Sequence, residues 1–403
     1  MSAPAEPPAP VPEIPALSRL LEEARASGVA PALAAAVLER GRWRHASASG
    51  TPKESLFDLA SLTKPLGTGL ACLRLLGLGA LDLELPAARL TPSFGRAGKA
   101  RITIRQLLEH RAGLAAWRPL FAAALRDPSA GAIFRGGARP AEAFERAREL
   151  LFRALDDEPP VARPGEESRY GDLAFLALGR IVETLCGEGL PGLFAREVQS
   201  RLGLGDGDLR WFDLRAGVPP GLPLVPTGVE RPRPPAPGQE AELARLPRTE
   251  VGERPGEVDD DHAFSLAGAA GNAGLFGTAA GVARVGQAFL EELEGAGRLA
   301  APEHARLFAL PAAPSPRPLA WDRPSGERPS IGSRLGRGPR GAVGHLGFTG
   351  TSLWIDLDRG IVVALLTNRV RLGRGNEGLR ELRPRFHDAV AEALGVPPAT
   401  ASA

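Results

Sequence analysis

The chain has 403 residues, of which 43% are apolar, and its 49 basic and 47 acidic side chains leave a net charge of +2. This composition supports a sizeable buried core, excludes wholesale disorder and gives no electrostatic reason to expect nucleic-acid binding. The two cysteines are too few for a disulfide framework, and no apolar run is long enough to predict a membrane span.

Residues 1–15 are rich in Pro and Ala and predict a disordered arm. They lack the basic and apolar regions of a signal peptide, so the sequence as given predicts a cytoplasmic protein. A misassigned start codon would hide an export signal, and export therefore stays open.

In the first third of the chain, residue spacing predicts a helix over 17–26 and a β-hairpin from strands 31–38 and 43–49. A long helix is predicted from Ser61 to Leu78, where glycines end it. Residues 102–113 predict a short extended stretch followed by a helix.

The middle of the chain is predicted to be mainly helical, with helices at 173–186, 190–202 and 278–293. Two segments rich in Pro and Gly, 216–260 and 311–341, predict long surface loops with little structure of their own.

Strand signals return at 343–356 and 360–366, and a helix is predicted over 386–394, before a tail at 396–403. Because an isolated hairpin is barely stable, the strands near the two ends of the chain are expected to share one antiparallel sheet. The fold class predicted is therefore α+β, with the central helices as a second layer.

Ser61 and Lys64 are the first candidates for chemistry, because residues three apart lie on the same face of a helix. Burial and the positive end of the helix dipole are expected to lower the pKa of Lys64, so that its amine could take the Ser61 proton. This arrangement activates a serine nucleophile without a catalytic histidine. A Ser-x-x-Lys motif also recurs by chance, so the hypothesis depends on the rest of the chain.

Four stretches, in this order, carry a joint resemblance to a known family: 57–64 (FDLASLTK), 102–114 (ITIRQLLEHRAGL), 164–175 with Tyr170, and 344–356 (GHLGFTGTSLWID). The chain resembles the serine hydrolases of the class C β-lactamase type. That family includes β-lactam-hydrolysing enzymes, penicillin-binding peptidases and esterases.

The resemblance implies a β-lactamase/transpeptidase-like fold in a single catalytic domain spanning 16–395. An antiparallel sheet built from 30–50 and 342–368 would be flanked by helices, beside an all-helical region of about 65–320. The catalytic cleft would lie between the sheet and the helical region.

The resemblance also implies the catalytic roles. Ser61 would attack an acyl carbon, Lys64 and Tyr170 would share its proton, and the backbone amides of Ser61 and Phe348 would form the oxyanion hole. Tyr170 is the only tyrosine of the chain. A Lys64 cation would stabilise a tyrosine phenolate, and the identity of the base stays open between the two residues.

Four further residues are predicted to bind substrate: Asp172, His345, Gly347 and Thr349. His345 stands where β-lactam hydrolases have lysine, and a mostly neutral imidazole is a weaker anchor for a substrate carboxylate. Asp172 stands where asparagine is common; it could hold Lys64 charged, and it would repel an anionic substrate. Both departures favour a neutral ester, so the predicted function is a carboxylesterase with a Ser61 acyl-enzyme.

Other functions remain as alternatives. A β-lactamase or D-alanyl peptidase would take a β-lactam or peptide-like substrate, and a catalytically inactive penicillin-binding-like module would only capture its ligand. No Gly-x-Ser-x-Gly elbow supports an α/β-hydrolase, and no motif predicts a metal or cofactor. His110 is expected to serve packing, and the sequence leaves the oligomeric state open.

Overall fold

The computed structural model describes residues 11–398. Most of the predicted arm, residues 1–10, and the end of the predicted tail, residues 399–403, lie outside the described residues. Within the described part, the first helix begins at Pro15, the last residue of the predicted arm, and Val396, the first residue of the predicted tail, is buried.

The helices and strands follow in chain order. The α-helices are α1 (Pro15–Ala26), α2 (Leu70–Gly77), α3 (Ile104–Leu108), α4 (Ala122–Arg126), α5 (Ala141–Asp157), α6 (Leu173–Cys186), α7 (Leu190–Phe194), α8 (Ser200–Leu202), α9 (Glu240–Leu243), α10 (Asp261–Ser265), α11 (Ala279–Leu293), α12 (Pro302–Ala309) and α13 (Leu379–Ala393). The strands are β1 (Leu33–Glu39), β2 (Arg42–Ser49), β3 (Phe57–Asp58), β4 (Leu209–Trp211), β5 (Glu230–Arg231), β6 (Thr249–Glu250), β7 (Leu275–Gly277), β8 (Ala342–Leu346), β9 (Ser352–Asp356) and β10 (Ile361–Thr367).

The central sheet has five antiparallel strands in the order β2-β1-β10-β9-β8. The N-terminal hairpin pairs with the last strand, so that Leu33 lies opposite Thr367 and Glu39 opposite Ile361. The prediction of one antiparallel sheet built from both ends of the chain, flanked by helices, is confirmed.

Both faces of this sheet are covered by helices. Alternate residues of a strand point to opposite faces, and β1 sends Leu33, Ala35 and Val37 into a cluster with α1 and α13. Ala34 and Ala36 face the larger cluster, which contains α11 and the central helices. Burial on both sides explains why β1 and β10 are almost continuously apolar instead of alternating.

The prediction of one long helix over 61–78 is wrong for the first half of this segment. Residues Ala60–Leu62 form a 3₁₀ turn, Lys64–Gly69 form a π-helical turn, and only Leu70–Gly77 is α-helical. Pro65 has no N–H and cannot donate to the carbonyl four residues earlier, so the α-helical ladder cannot run through this position.

The strand predicted over 343–356 is two strands, β8 and β9, joined by a turn at residues 347–351. Gly350 adopts a φ of +106°, which favours glycine and allows the chain to reverse. This turn places the edge strand β8 and residue Phe348 next to the turn that carries Ser61, because Thr351 bonds to the carbonyl of Leu59.

The segment 216–260 is more than a surface loop. It contains β5, α9 and β6, and it buries Arg231 completely. Arg231 donates to the Asp261 carboxylate at 2.9 Å and to the Val258 carbonyl. These polar contacts compensate for the small number of apolar residues that the segment offers to the core. The segment 311–341 contains no helix or strand within the described chain, although Trp321 is buried.

No helix within residues 11–398 has the length and apolar character needed to cross a bilayer.

Candidate active site

Ser61 lies in the turn that follows β3, where the preceding residue, Ala60, has a φ of +48°. This conformation is costly for a residue with a side chain, so the surroundings must hold it. The Asp58 carboxylate supplies two restraints, because it accepts the Ala60 N–H at 2.9 Å and the Asp259 N–H at 2.6 Å. The serine is therefore presented to the cleft by a fixed, strained turn.

Lys64 is fully buried beneath Ser61. Its Nζ lies 2.8 Å from the Ser61 Oγ, 2.7 Å from an Asp172 carboxylate oxygen and 3.3 Å from the Asn272 carbonyl. The predicted contact between Ser61 and Lys64 is thus present, although a 3₁₀ turn forms it instead of an α-helix.

The expectation that the pKa of Lys64 is lowered is wrong. Burial by itself lowers this pKa, but the Asp172 carboxylate and the neighbouring Tyr170 outweigh burial and raise the pKa above its ordinary value. Lys64 therefore carries a positive charge at neutral pH and donates a hydrogen bond to the Ser61 oxygen.

Tyr170 stands at the mouth of the cleft, just before α6, and is about one third exposed. The Lys64 Nζ lies 5.2 Å from the centroid of its ring, and the Arg317 guanidinium lies 5.6 Å from it. His110 and His345 pack beside the same ring, with ring centroids at 4.7 and 5.5 Å. The tyrosine thus lies between two cations and two imidazoles.

Both imidazoles are uncharged and pack against the Tyr170 ring. Burial and the charge of Lys64 lower the pKa of His345 to about 4, and its Nδ1 donates to the Leu346 carbonyl at 2.8 Å. Burial also lowers the pKa of His110 well below its ordinary value, and its Nδ1 accepts the Gly171 N–H at 3.3 Å. At neutral pH, His345 cannot anchor a substrate carboxylate through charge.

The backbone N–H groups of Ser61 and Phe348 line the same cleft. Neither of them has a hydrogen-bond acceptor among residues 11–398. Free N–H groups at such a position are available to a substrate carbonyl oxygen.

Thr349 was predicted to bind substrate, and the structure places its hydroxyl in a backbone contact. Its side chain is buried, and its hydroxyl donates to the Asp58 carbonyl at 2.7 Å. The Thr351 hydroxyl donates to the Leu59 carbonyl at 2.9 Å, so two threonines tie the Phe348 turn to the Ser61 turn. Gly347 does line the cleft, and a Cβ there would lie 2.0 Å from the Thr351 Oγ1.

The cleft has a volume of about 340 Å³, and apolar, acidic and basic side chains line it. Trp117, Leu346 and Phe348 contribute apolar surface. The acidic and basic groups come from Asp172, Asp259, Asp260, Arg369, Arg374 and Arg383.

Sequence analysis missed the three arginines, which follow β10 without any motif. Arg374 bonds to Asp259 at 2.6 Å. Arg369 and Arg383 donate to the carbonyls of Phe348 and Thr351, each at 3.0 Å, and neither pairs with a carboxylate in the described part of the chain. They both support the Phe348 turn and leave positive charge in the lining of the cleft.

The class of protein follows from this fold and from comparison with known families. Residues 17–384 match the family model described as Beta-lactamase, and the chain belongs to the Beta-lactamase family. Members of this family are serine hydrolases, so the predicted enzyme class is confirmed.

Several known proteins are similar to this chain. An N-acetylmuramyl-L-alanine amidase of Bacillus subtilis (strain 168) is 28% identical over 326 residues, covering 78% of this chain and 68% of the amidase. Esterase EstB of Burkholderia gladioli is 33% identical over 161 residues, covering 38% of each chain. A putative D-alanyl-D-alanine carboxypeptidase of Escherichia coli (strain K12) is 26% identical, covering 78% of this chain and 69% of that protein.

Solved structures agree on the fold. EstCE1, described as a hydrolase with promiscuous acyltransferase activity, superposes with a TM-score of 0.64 at 22% identity, over 91% of this chain and 97% of EstCE1. A penicillin-binding protein homologue from Caulobacter crescentus gives a TM-score of 0.63 at 20% identity, over 94% and 97%.

Proposed function

We propose that this protein is a carboxylesterase that works through an acyl-enzyme on Ser61. The observation that carries the proposal is the Ser61 Oγ, 2.8 Å from a buried lysine ammonium and in a cleft lined by Tyr170 and two free backbone N–H groups. A nucleophile, a proton acceptor and an oxyanion hole are the parts that acyl transfer needs.

Within this proposal, Tyr170 is the base and Lys64 is a fixed cation. Asp172 keeps Lys64 protonated, so the lysine cannot accept the serine proton but can stabilise the alkoxide as it forms. The Lys64 ammonium and the Arg317 guanidinium both lie within 6 Å of the centroid of the Tyr170 ring. Tyr170 would take the Ser61 proton during attack and return it to the leaving group.

The Ser61 and Phe348 N–H groups would receive the negative charge of the tetrahedral intermediate. The acyl-enzyme would then be hydrolysed by a water molecule activated by the same tyrosine. Removing one oxyanion-hole donor typically lowers kcat by about 10²- to 10³-fold, so this pair accounts for a large share of the expected rate.

The proposal of an ester substrate rests on the side chains that line the cleft. Trp117, Leu346 and Phe348 suit an apolar acyl chain, and the uncharged His345 gives a carboxylate no charged partner. The Asp172 carboxylate also disfavours negative charge beside Ser61. One similar protein, Esterase EstB of Burkholderia gladioli, is named for this chemistry.

One observation favours a second candidate, a D-alanyl peptidase-type or β-lactamase activity. Arg369 and Arg383 line the cleft, and neither has a carboxylate partner among residues 11–398. Their positive charge would suit a substrate that carries a carboxylate beyond its scissile bond.

Covalent labelling with a serine-reactive phosphonate tests the nucleophile. We expect one adduct per chain on wild type, mapped to Ser61 by peptide mass spectrometry, and none on Ser61→Ala. Ser325→Ala, which removes an exposed serine in the segment 311–341, is the matched control and should label like wild type. Folded wild-type protein without an adduct would favour the ligand-binding module instead.

A further inference from the structure

Three potential metal ligands converge on the wall of the cleft, from two distant parts of the chain. Asp172 precedes α6, while Asp260 and His262 lie at the start of α10. One oxygen from each carboxylate and one imidazole nitrogen all lie within 4.8 Å of one another. Neither Asp260 nor His262 has a role in the proposed hydrolysis.

His262 is almost fully buried, at 1% exposure, and its Nε2 has two backbone neighbours. The Arg118 carbonyl lies 2.8 Å away and accepts a hydrogen bond if Nε2 carries the proton. The Leu120 N–H lies 3.3 Å away and donates to Nε2 only if Nε2 carries none. The shorter contact favours the proton on Nε2, and that tautomer leaves a lone pair on Nδ1.

The lone pair of Nδ1 has no hydrogen-bond partner in residues 11–398. It lies 3.8 Å from an Asp260 carboxylate oxygen, which is also an acceptor. The nearby Asn272, also 1% exposed, donates its amide nitrogen to Asp260 at 3.2 Å but leaves its Oδ1 unpartnered within the same described chain. A buried acceptor without a donor is costly, and a cation bound to it removes the cost.

We propose that Asp172, Asp260 and His262 bind one divalent transition-metal ion, with Zn²⁺ as the best fit. Zn²⁺ prefers imidazole nitrogen and carboxylate oxygen, and three protein ligands leave its fourth position open to the cleft. An imidazole that donates its other nitrogen to a backbone carbonyl, as His262 does to Arg118, is the usual form of a metal-binding histidine.

The geometry needs only small carboxylate movements. Ligand atoms of a tetrahedral Zn²⁺ site, each about 2.1 Å from the metal, lie about 3.4 Å apart, which is closer than the present spacing. Asp172 and Asp260 are each about one fifth exposed at the side chain and can rotate inward. One Asp172 oxygen bonds to Lys64, and the other remains for the metal.

Binding of the ion is expected to inhibit the enzyme, a consequence that rests on the proposed function. A divalent cation on Asp172 competes with Lys64 for the same carboxylate and adds positive charge beside Ser61. The ammonium of Lys64 would be repelled from the position in which it hydrogen-bonds to the serine oxygen.

Equilibrium dialysis of chelator-treated protein against Zn²⁺ tests the site directly, with bound metal quantified by mass spectrometry. We expect one equivalent on wild type, and an affinity lowered about tenfold or more in both His262→Ala and Asp260→Asn. Asp260→Asn keeps a side-chain oxygen that can cap α10, so this variant still tests the site if His262→Ala does not fold. His304→Ala, which removes the imidazole of α12, is the matched control and should bind like wild type.

A second readout uses Co²⁺ in place of Zn²⁺. Wild type and His304→Ala should show visible d–d absorption typical of four-coordinate cobalt, and His262→Ala and Asp260→Asn should not. Absence of a stoichiometric ion on wild type, or equal binding by wild type and both site variants, would overturn the proposal. Stoichiometric Zn²⁺ with unchanged esterase activity would overturn the inhibition alone. Metal-free wild type that hydrolyses no ester, yet binds one Zn²⁺ when the ion is added, would instead overturn the proposed function.

Discussion

At the scale of single residues, the contact between Lys64 and Asp172 decides how the site can work. A buried lysine without a partner would lose its charge, but the carboxylate 2.7 Å away reverses the effect of burial on its pKa. Asp172 is thus placed to keep the Lys64 cation beside Ser61. The sequence motif alone does not show that Lys64 is charged.

Asp172→Asn should make activity sensitive to alkaline pH. Without the carboxylate, burial lowers the pKa of Lys64, so the lysine loses its charge at a lower pH than in wild type. We expect the alkaline limb of kcat/KM for an ester substrate to move down by about one pH unit or more. Asp213→Asn, at an exposed carboxylate paired with Arg215, is the control and should keep the wild-type profile. An unchanged limb in Asp172→Asn would show that Asp172 does not hold the charge of Lys64.

Asp58 should make stability fall as the pH rises from the ordinary carboxyl pKa to about 7. Burial and the nearby Asp259 raise the pKa of Asp58 to about 7, whereas an unfolded carboxyl ionises near its ordinary value. Between these two values the native state binds the proton and the unfolded state does not, so the free energy of unfolding declines with pH. Over about three pKa units, the decline amounts to about 4 kcal/mol at most.

Urea unfolding of wild type and Asp58→Asn between pH 4 and 8 measures this effect. The amide does not titrate, so the stability of wild type relative to the variant should fall across the interval. A difference that stays constant with pH would contradict the raised pKa of Asp58.

At the scale of elements, two short turns form the proposed catalytic geometry. The turn at Ala60–Leu62 carries Ser61, and the turn between β8 and β9 carries Phe348. Hydroxyl groups of Thr349 and Thr351 bond the second turn to the backbone of the first. Contacts between the two turns therefore set the width of the proposed oxyanion hole, and neither turn sets it alone.

Gly347→Ala should damage catalysis more than folding. A methyl group there would meet the Thr351 Oγ1 at 2.0 Å and the Leu59 carbonyl at 2.5 Å, which pushes the two turns apart. We expect a loss in kcat of about 10²-fold or more, with a much smaller change in KM. Gly375→Ala, at a position where a Cβ would meet nothing within 4 Å, should stay near wild type. Equal activity of the two variants would contradict the role given to the turns.

The same elements show what could be predicted from the sequence. The strands β1 and β10 were found because apolar residues cluster over the length of a strand, and Ser61, Lys64 and Tyr170 were found because they belong to motifs. The 3₁₀ and π turns around Ser61 were missed, because apolar spacing over 61–78 masks the effect of Pro65. The proposed metal ligands were missed because Asp172 and His262 are distant in sequence, although three aspartates run directly into His262.

At the scale of the whole molecule, a buried network of ion pairs connects the segment 216–260 to the cleft. Arg231 pairs with Asp261, while Asp259 pairs with Arg374 at the cleft wall and lies 3.4 Å from Arg233. The sequence predicted a surface loop here because a segment rich in charged and Pro residues is usually exposed to solvent. The prediction missed the burial because the pairing of these charges depends on tertiary structure.

Arg231→Met should destabilise the protein by about 3–5 kcal/mol, because the Asp261 carboxylate would remain buried without its partner. Urea unfolding measures the loss. Arg163→Met, which removes an exposed arginine near Glu166, is the control and should change stability by less than about 1 kcal/mol. A loss as small as that of the control would show that the buried network contributes little to stability.

Pre-steady-state hydrolysis of p-nitrophenyl butyrate, beside a chromogenic cephalosporin, tests the central claim most directly. With wild type we predict a burst of p-nitrophenol equal to the enzyme concentration, then steady turnover, and little or no turnover of the cephalosporin. Ser61→Ala should show neither burst nor turnover. Faster cephalosporin turnover would place the activity with the β-lactamases, and ester hydrolysis by Ser61→Ala at the wild-type rate would contradict Ser61 as the nucleophile.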